Sequence, residues 1–391
     1  MAISTASVPL GTPSTATRTS ERLLYLDNLK VILVAGVIVG HAVITYGGLG
    51  SWIYLEQSHR SLIMTPLSVL MEIGWLFAVG LFFFVSGLLT PASLEHKGSG
   101  RFVRDRLIRL GVPLAAFVLV VMPIVRYAVY LATLPGTANP EPYWAFLHHQ
   151  DWIMNLGPMW FVLFLLMFSI SYAIYRNSHP RKTSYTAPLR VRQLIVLAAS
   201  IAAGSAVLRL IWPFDPRQAL NLHVGLWVQY PVMFWFGALC AERGWLAMLP
   251  GHLWRRLGVI AVLAAVAVAM LLMITGALSA QATSNVDGWP WPDLALAGIE
   301  GVLAVSASLW SLEYFRRRHS HQKTLGAQLS RSSYGAFVLQ TPIIVGTALS
   351  LRSLGIPPEA KMLIVALIGL TLSFGLSWLA VTRLTLMSKI L

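Results

Sequence analysis

His41 stands in the first apolar run of the chain, in the segment GVIVGHAVITYGG, and a chemical reading begins there. An ionisable side chain in lipid is costly and marks a functional position by default. Imidazole is the side chain best suited to take and return a proton near neutral pH. Lys30 precedes His41 by 11 residues. At about 100° per residue that is close to three full helical turns, so the two side chains share one face, about 16 Å apart along the axis. A histidine bonded to a neighbouring helix for packing alone is the alternative. Asp27, in Tyr25-Leu26-Asp27-Asn28-Leu29-Lys30, is placed to cap the first helix by accepting from its free N–H groups, or else to contribute to the site.

A second constellation follows the next apolar run. FFFVSGLLTPASLEHKGSGRFVRDRLIRLGVP closes a span at Ser86-Gly87, crosses a Gly/Ser turn and returns through Arg101, Arg104, Arg106 and Arg109 to Pro113. Arg106 and Arg109 are i,i+3 neighbours on one helical face. Two guanidinium forks at that spacing suit a phosphate or pyrophosphate; for the cluster as a whole, topology alone is the alternative. Glu72, Arg126, Arg209 and Glu300 fall in the outer halves of their spans. They would either line a pocket for a hydrophilic acceptor or pair across helices for packing. His148-His149 and His319-Ser-His321 lack supporting carboxylates or cysteines, so no metal site is expected. Walker loops, a strand-borne GxGxxG and a GxSxG elbow are missing from the sequence.

The elements that must position these residues follow from composition. The chain has 391 residues, 56% hydrophobic and 11% charged, with mean hydropathy +0.68. That excludes a water-soluble enzyme. Ten apolar runs predict helices at 28–48, 66–90, 111–134, 158–176, 193–213, 223–241, 257–278, 294–315, 332–350 and 360–382. Backbone groups find no water in lipid, so such runs must be helical, and a barrel would alternate instead. The fold class is therefore an all-α integral-membrane bundle of about ten helices.

The net charge of +14 comes from 29 Lys and Arg against 15 Asp and Glu. Most of the basic residues fall in alternate loops. This orients both termini and the loops near 100, 184, 250 and 322 toward the cytoplasm, in an inner membrane. Basic inner loops also account for the charge without a nucleic-acid partner. The single cysteine, Cys240, excludes intramolecular disulfides and CxxC sites. Residues 1–21, rich in Ser, Thr, Ala and Pro, are expected to form a disordered cytoplasmic tail before a single membrane domain, 22–391. The outer loops 135–157 and 279–293 are rich in Pro, Asn and Trp, and Trp belongs at headgroup level.

These motifs resemble those of the membrane acyltransferase-3 family. Leu26-Asp27-x-Leu29-Lys30, ten residues, then His41 resembles its first-helix signature. Phe-Phe-x-Val-Ser86-Gly87 followed by Arg106-x-x-Arg109-Leu110-x-x-Pro113 resembles the second. Gly157-Pro-Met-Trp160-Phe161, Phe234-x-Phe236-Gly237 and Ser333-Tyr334-Gly335 are similar to later elements, so the likeness runs over about 22–382. Two positions depart from it. Gln340 stands where members often carry His, and it cannot shuttle a proton, though it could orient a carbonyl. Lys30 stands where Arg is frequent and offers a point charge without a fork.

The resemblance implies a stand-alone acyltransferase without a fused periplasmic domain. Its donor would be acyl-CoA, expected to be acetyl-CoA, as co-substrate with no resident cofactor. Its acceptor would be a hydroxyl of a glycan, a lipid-linked product or a small molecule. His41 would be the general base, or less directly an acyl carrier. Lys30, Arg106 and Arg109 would hold the donor. Glu72, Arg126, Arg209, Glu300 and Gln340 would face the acceptor, and Asp27, Ser86, Trp160 and Tyr334 would support the site. The competing readings are a proton-coupled transporter using His41, Glu72 and Glu300, and a membrane scaffold without chemistry.

The topology is testable directly. In a Cys240→Ser background, cysteines replacing Leu55, Asn139, Asn285 and Gly355 are expected to react with an impermeant thiol reagent from outside the cell. Those replacing Gly100 and Ser184 are expected to react only after permeabilisation; the reverse pattern overturns the orientation.

Overall fold

The computed structural model describes residues 24–47, 52–56, 63–136, 138–149, 156–180, 188–211, 224–245, 250–275 and 290–383. The expected tail at 1–21 and most of the loop 279–293 lie outside them. The helices are α1 (Leu24–Gly47), α2 (Met64–Lys97), α3 (Ser99–Thr133), α4 (Tyr143–His149), α5 (Trp160–Ser178), α6 (Val191–Ile211), α7 (Gln229–Arg243), α8 (Gly251–Ile274), α9 (Trp291–Arg318), α10 (Thr324–Leu351) and α11 (Pro358–Arg383). Among the described residues, nine helices are long and apolar enough to cross a membrane: all but α4 and α7. The run expected at 223–241 is divided between a short 3-10 turn, Val224–Leu226, and the 15-residue α7. The short α4 carries Trp144 at 73% exposure, as a headgroup-level aromatic requires.

The chain turns its apolar surface outward as well as inward. Val262 and Leu263 on α8 and Ile195 on α6 are exposed, which hydrocarbon welcomes and water would not. Polar side chains are instead gathered inside. α1 is the hub and packs against α2, α9, α10 and α11. Its register with α2 is antiparallel. A Cβ at Gly47 would strike Ser68 Oγ, and one at Gly40 would come within 3.2 Å of Trp75 Cζ2. Glu72 thus lies between those levels, and Val79 and Phe82 lie nearer the Lys30 end. α10 runs parallel to α1. Gly326 adjoins Asn28 at one end, and Gln340 meets His41 further along.

Two sequence motifs turn out to serve a backbone contact. α2 and α7 cross where Gly87 faces the carbonyl oxygen of Phe234 and Gly237 faces that of Phe84. A side chain at either position would overlap an oxygen that cannot retreat. The FFFVSG and FWFG runs are therefore the two halves of one crossing. α3 is irregular in a different way. It contains π turns at Leu107–Gly111 and Phe117–Val121, and a proline, Pro113 or Pro123, follows two residues after each. Proline has no N–H to close the α-helical bond and its ring crowds the carbonyl four residues back; widening the preceding turn relieves both.

Gly237→Ala is expected to destabilise the detergent-solubilised protein by about 1–3 kcal/mol, the usual cost of overpacking. Gly36→Ala, where a Cβ would meet nothing within 4 Å, should leave the melting temperature within error of the parent.

Candidate active site

His41 lies 17 residues into α1, one residue beyond the contact of Gly40 with Trp75. Its side chain is buried. Nδ1–H donates to Gln340 Oε1 at 3.1 Å. A carboxamide oxygen can only accept, so the hydrogen of the neutral imidazole sits on Nδ1 and the Nε2 lone pair is left over. Nε2 makes no hydrogen bond with any described residue. The ring stacks on Trp52, with centroids 3.8 Å apart and planes at 17°, and Trp75 tilts against it at 5.3 Å. Beside the imidazole is a cavity of ≈ 40 Å³ that Trp160 and Phe161 also border. Trp52 Nε1 and Gln340 Nε2 are buried N–H donors without an acceptor among the described residues. Such groups are uncommon in folded proteins and need a reason.

The strap 52–56 covers the end of this site away from Lys30. Glu56 N–H donates to Thr45 O at 2.9 Å, and Lys361 Nζ on α11 reaches Glu56 Oε1 at 2.6 Å. Lys361 also donates to Arg352 O at 3.2 Å. Tyr54 OH donates to Glu56 Oε2 at 3.4 Å; burial, and then the Glu56 carboxylate, raise the phenol above its usual range, so it remains a donor. Trp52 and Tyr54 are buried by this anchoring. The sequence reading missed Trp52, Trp75, Glu56 and Lys361. Trp52 reads as an interfacial aromatic and Trp75 as span filler, and only the register of α1 with its neighbours brings both rings to His41.

At the opposite end, Lys30 Nζ pairs with Asp27 Oδ1 at 2.8 Å. Asp27 is not the cap expected of it. The helix is already running at Leu24, so Asp27 sits inside the first described turn and holds Lys30 instead. Asn28 Nδ2 donates to His319 O at 2.8 Å and His321 O at 3.1 Å, tying the start of α1 to the segment before α10. Arg106 and Arg109 lie at this same end of the bundle, where α2 finishes and α3 begins. Arg106 stands just before the π turn Leu107–Gly111 and Arg109 within it. Arg106 is half-buried, with its guanidinium 5.0 Å from the Phe102 ring, and Arg109 is exposed.

The remaining candidates separate. Arg209 and Glu300 join each other at 2.5 Å, at 1% and 0% side-chain exposure. Ser205 Oγ donates to Glu300 Oε1 at 3.2 Å, and Arg209 Nη1 to Asp293 O at 3.1 Å. The pair ties α6 to α9 and does not border the His41 cavity, so interhelical pairing describes it and an acceptor pocket does not. A proton relay through Glu300 would need that carboxylate free. Arg126 is half-buried on α3, one turn from Met122, and does not border the cavity either. Glu72 does not border it, but stands on the α2 face toward α1, one turn from Trp75. It is half-buried and without a hydrogen-bond or ionic partner among the described residues. Ser86 gives its carbonyl to Thr90 Oγ1–H at 2.7 Å, a helix-internal bond beside the glycine crossing. Tyr334 OH is buried and unpartnered two turns along α10 from Gln340, toward the Lys30 end.

Breaking the buried ion pair leaves a charge with no solvent. Arg209→Met alone is expected to cost about 3–5 kcal/mol of stability, and Arg209→Met with Glu300→Leu to recover most of that loss. Detergent unfolding curves of the single and double variants check it.

The matching family model is that of the acyltransferase domain of the acyltransferase-3 type, and it covers residues 23–382, nearly the whole described bundle. No curated protein and no solved structure matches the chain. With its motifs, its helices and this match in agreement, the chain belongs to the acyltransferase-3 family of membrane acyltransferases.

Proposed function

We propose that this membrane acyltransferase moves an acetyl group from cytoplasmic acetyl-CoA to a hydroxyl of a glycan or glycosylated small molecule, in the inner membrane, with His41 as general base. The observation that carries the reading is the state of His41. It is buried inside a span, its Nδ1–H is committed to Gln340 Oε1, and its Nε2 is unbonded beside a cavity. A packing histidine in lipid would have both nitrogens satisfied.

The step balances as follows. The acceptor hydroxyl oxygen bonds to the thioester carbonyl carbon as its proton passes to His41 Nε2, and the carbonyl electron pair moves to oxygen. Collapse of that oxyanion re-forms C=O and breaks the C–S bond, and the CoA thiolate takes the proton back from Nε2. Gln340 is a positioning residue throughout: its oxygen fixes the tautomer and supports the imidazolium. The unpaired N–H of Gln340, on the residue bonded to the imidazole, is the donor offered to the developing oxyanion, in surroundings where such bonds are strongest. Arg106 and Arg109, with Lys30 poised by Asp27, supply the positive charge for the phosphates of the donor. Glu72, unpartnered on the other side of Trp75, is the carboxylate available to acceptor hydroxyls.

The test uses native membranes given labelled acetyl-CoA. His41→Gln keeps a polar side chain that cannot take the proton. It is expected to lower transfer of label about 10²–10⁴-fold while acetyl-CoA still binds. Arg106→Ala and Arg109→Ala should each weaken acetyl-CoA binding by about 1.5–3 kcal/mol, as loss of a charge-assisted bond does, with Lys only partly restoring it. Near-parental transfer by well-folded His41→Gln membranes overturns the base; an unchanged Michaelis constant in both arginine variants overturns the donor site.

A further inference from the structure

The cavity beside His41 has a definite position along the bundle. Val37 is one helical turn from His41 on the face toward Lys30. Phe337 is nearly one turn from Gln340 in the same direction along the parallel α10. Val79 and Phe82 lie beyond Trp75 in the antiparallel α2, again toward the Lys30 end. All four border the cavity, with Phe161 of α5, whose ring meets Phe337 at 5.8 Å. The space therefore lies between His41 and the end that carries Lys30, Arg106 and Arg109. On the far side His41 is covered by Trp52.

The chemistry of the walls is equally definite. Apart from His41 and the indole N–H groups, they are hydrocarbon, and among the described residues no charged one borders the cavity. A sugar there would lose its hydrogen bonds to water and gain few in return. Its volume is ≈ 40 Å³. A water-sized group needs about 10–15 Å³, so there is room for about three heavy atoms, the number in an acetyl group.

Resting on the reading of His41 as the base and acyl-CoA as the donor, we propose that this cavity is the acyl subsite, and that Phe337, Phe161 and Val37 limit the transferred group to about the size of an acetyl group. The acyl chain enters from the Lys30 end and stops with its carbonyl at His41. A longer chain is refused because the aromatic walls leave no volume, not because the CoA moiety binds differently.

Binding of CoA, acetyl-CoA and butyryl-CoA to the purified full chain, followed by ligand-induced thermal stabilisation, tests this without knowledge of the acceptor. The parent should bind butyryl-CoA at least tenfold more weakly than acetyl-CoA. Pocket discrimination of one or two methylenes runs from about 10- to 200-fold. Phe337→Ala should bring the two within about threefold while leaving CoA itself unchanged. Phe161→Leu, a milder change on a half-buried side chain, should act in the same direction if Phe337→Ala does not fold. Val37→Leu should weaken acetyl-CoA relative to CoA. Equal binding of butyryl- and acetyl-CoA by the parent, or unchanged discrimination in the folded phenylalanine variants, overturns the subsite. His41→Gln separates this from the base assignment: it should keep the parental discrimination while losing transfer. An active His41→Gln protein that still discriminates would sink the base and leave the subsite standing.

Discussion

Hydrocarbon supplies no hydrogen bonds, so a polar side chain in a span must find its partner within the protein or be held for something else. That constraint sorts the charged and polar groups of this chain. Arg209 and Glu300 pair with each other, with Ser205 and the Asp293 carbonyl as further partners, and of the guanidinium only Nε is left without an acceptor among the described residues. At His41 the outcome is different. One nitrogen is spent on Gln340, the other is unspent, and two N–H donors nearby have no acceptor among the described residues. Both places are buried, and only at the second does the unfilled bonding capacity of an ionisable ring adjoin the cavity.

The same demand explains why α1 is the hub. Its polar face cannot look into lipid, so α2, α9, α10 and α11 close around it. Its far end is sealed by a strap that would otherwise expose Trp52. Glu56 fixes that strap through a backbone bond to Thr45 and an ion pair to Lys361, so α11 holds the cover of a site to which it gives no bordering residue. The α2–α7 crossing works to a similar end. Backbone contact at Gly87 and Gly237 sets the line of α2, and with it the placement of Trp75, Val79 and Phe82 around the imidazole.

The site is polarised along the bundle axis. Cationic side chains gather at one end, a narrow apolar cavity follows, then His41, and then Trp52 with Glu72 nearby. In the proposed reaction, a donor with charged phosphates and a small apolar acyl group would meet that order of environments from one end, and a hydroxylic acceptor from the other. Catalysis of acyl transfer needs the two to meet at a base shielded from bulk water, since water is itself a competing hydroxyl.

The sequence by itself determined the membrane class, the helical fold and nearly all of its helices, because apolar run length and backbone satisfaction in lipid leave no other solution. It also singled out His41, because an ionisable group in such a run is anomalous on its own. What it left open were relations between helices. Spacing along one chain placed Arg106 and Arg109 on one face, but it did not show the π turn ahead of Pro113 that contains Arg109. Asp27 read as a cap until the helix was seen to be running by Leu24. Glu72, Arg209 and Glu300 looked alike as isolated span charges; only packing paired two of them and left the third without a partner among the described residues. Gln340 read as a substitution that removes an acid–base group. Tertiary structure made it the residue that fixes the imidazole tautomer, because hydrogen bonds between helices depend on register and rotation, which no single run of sequence contains.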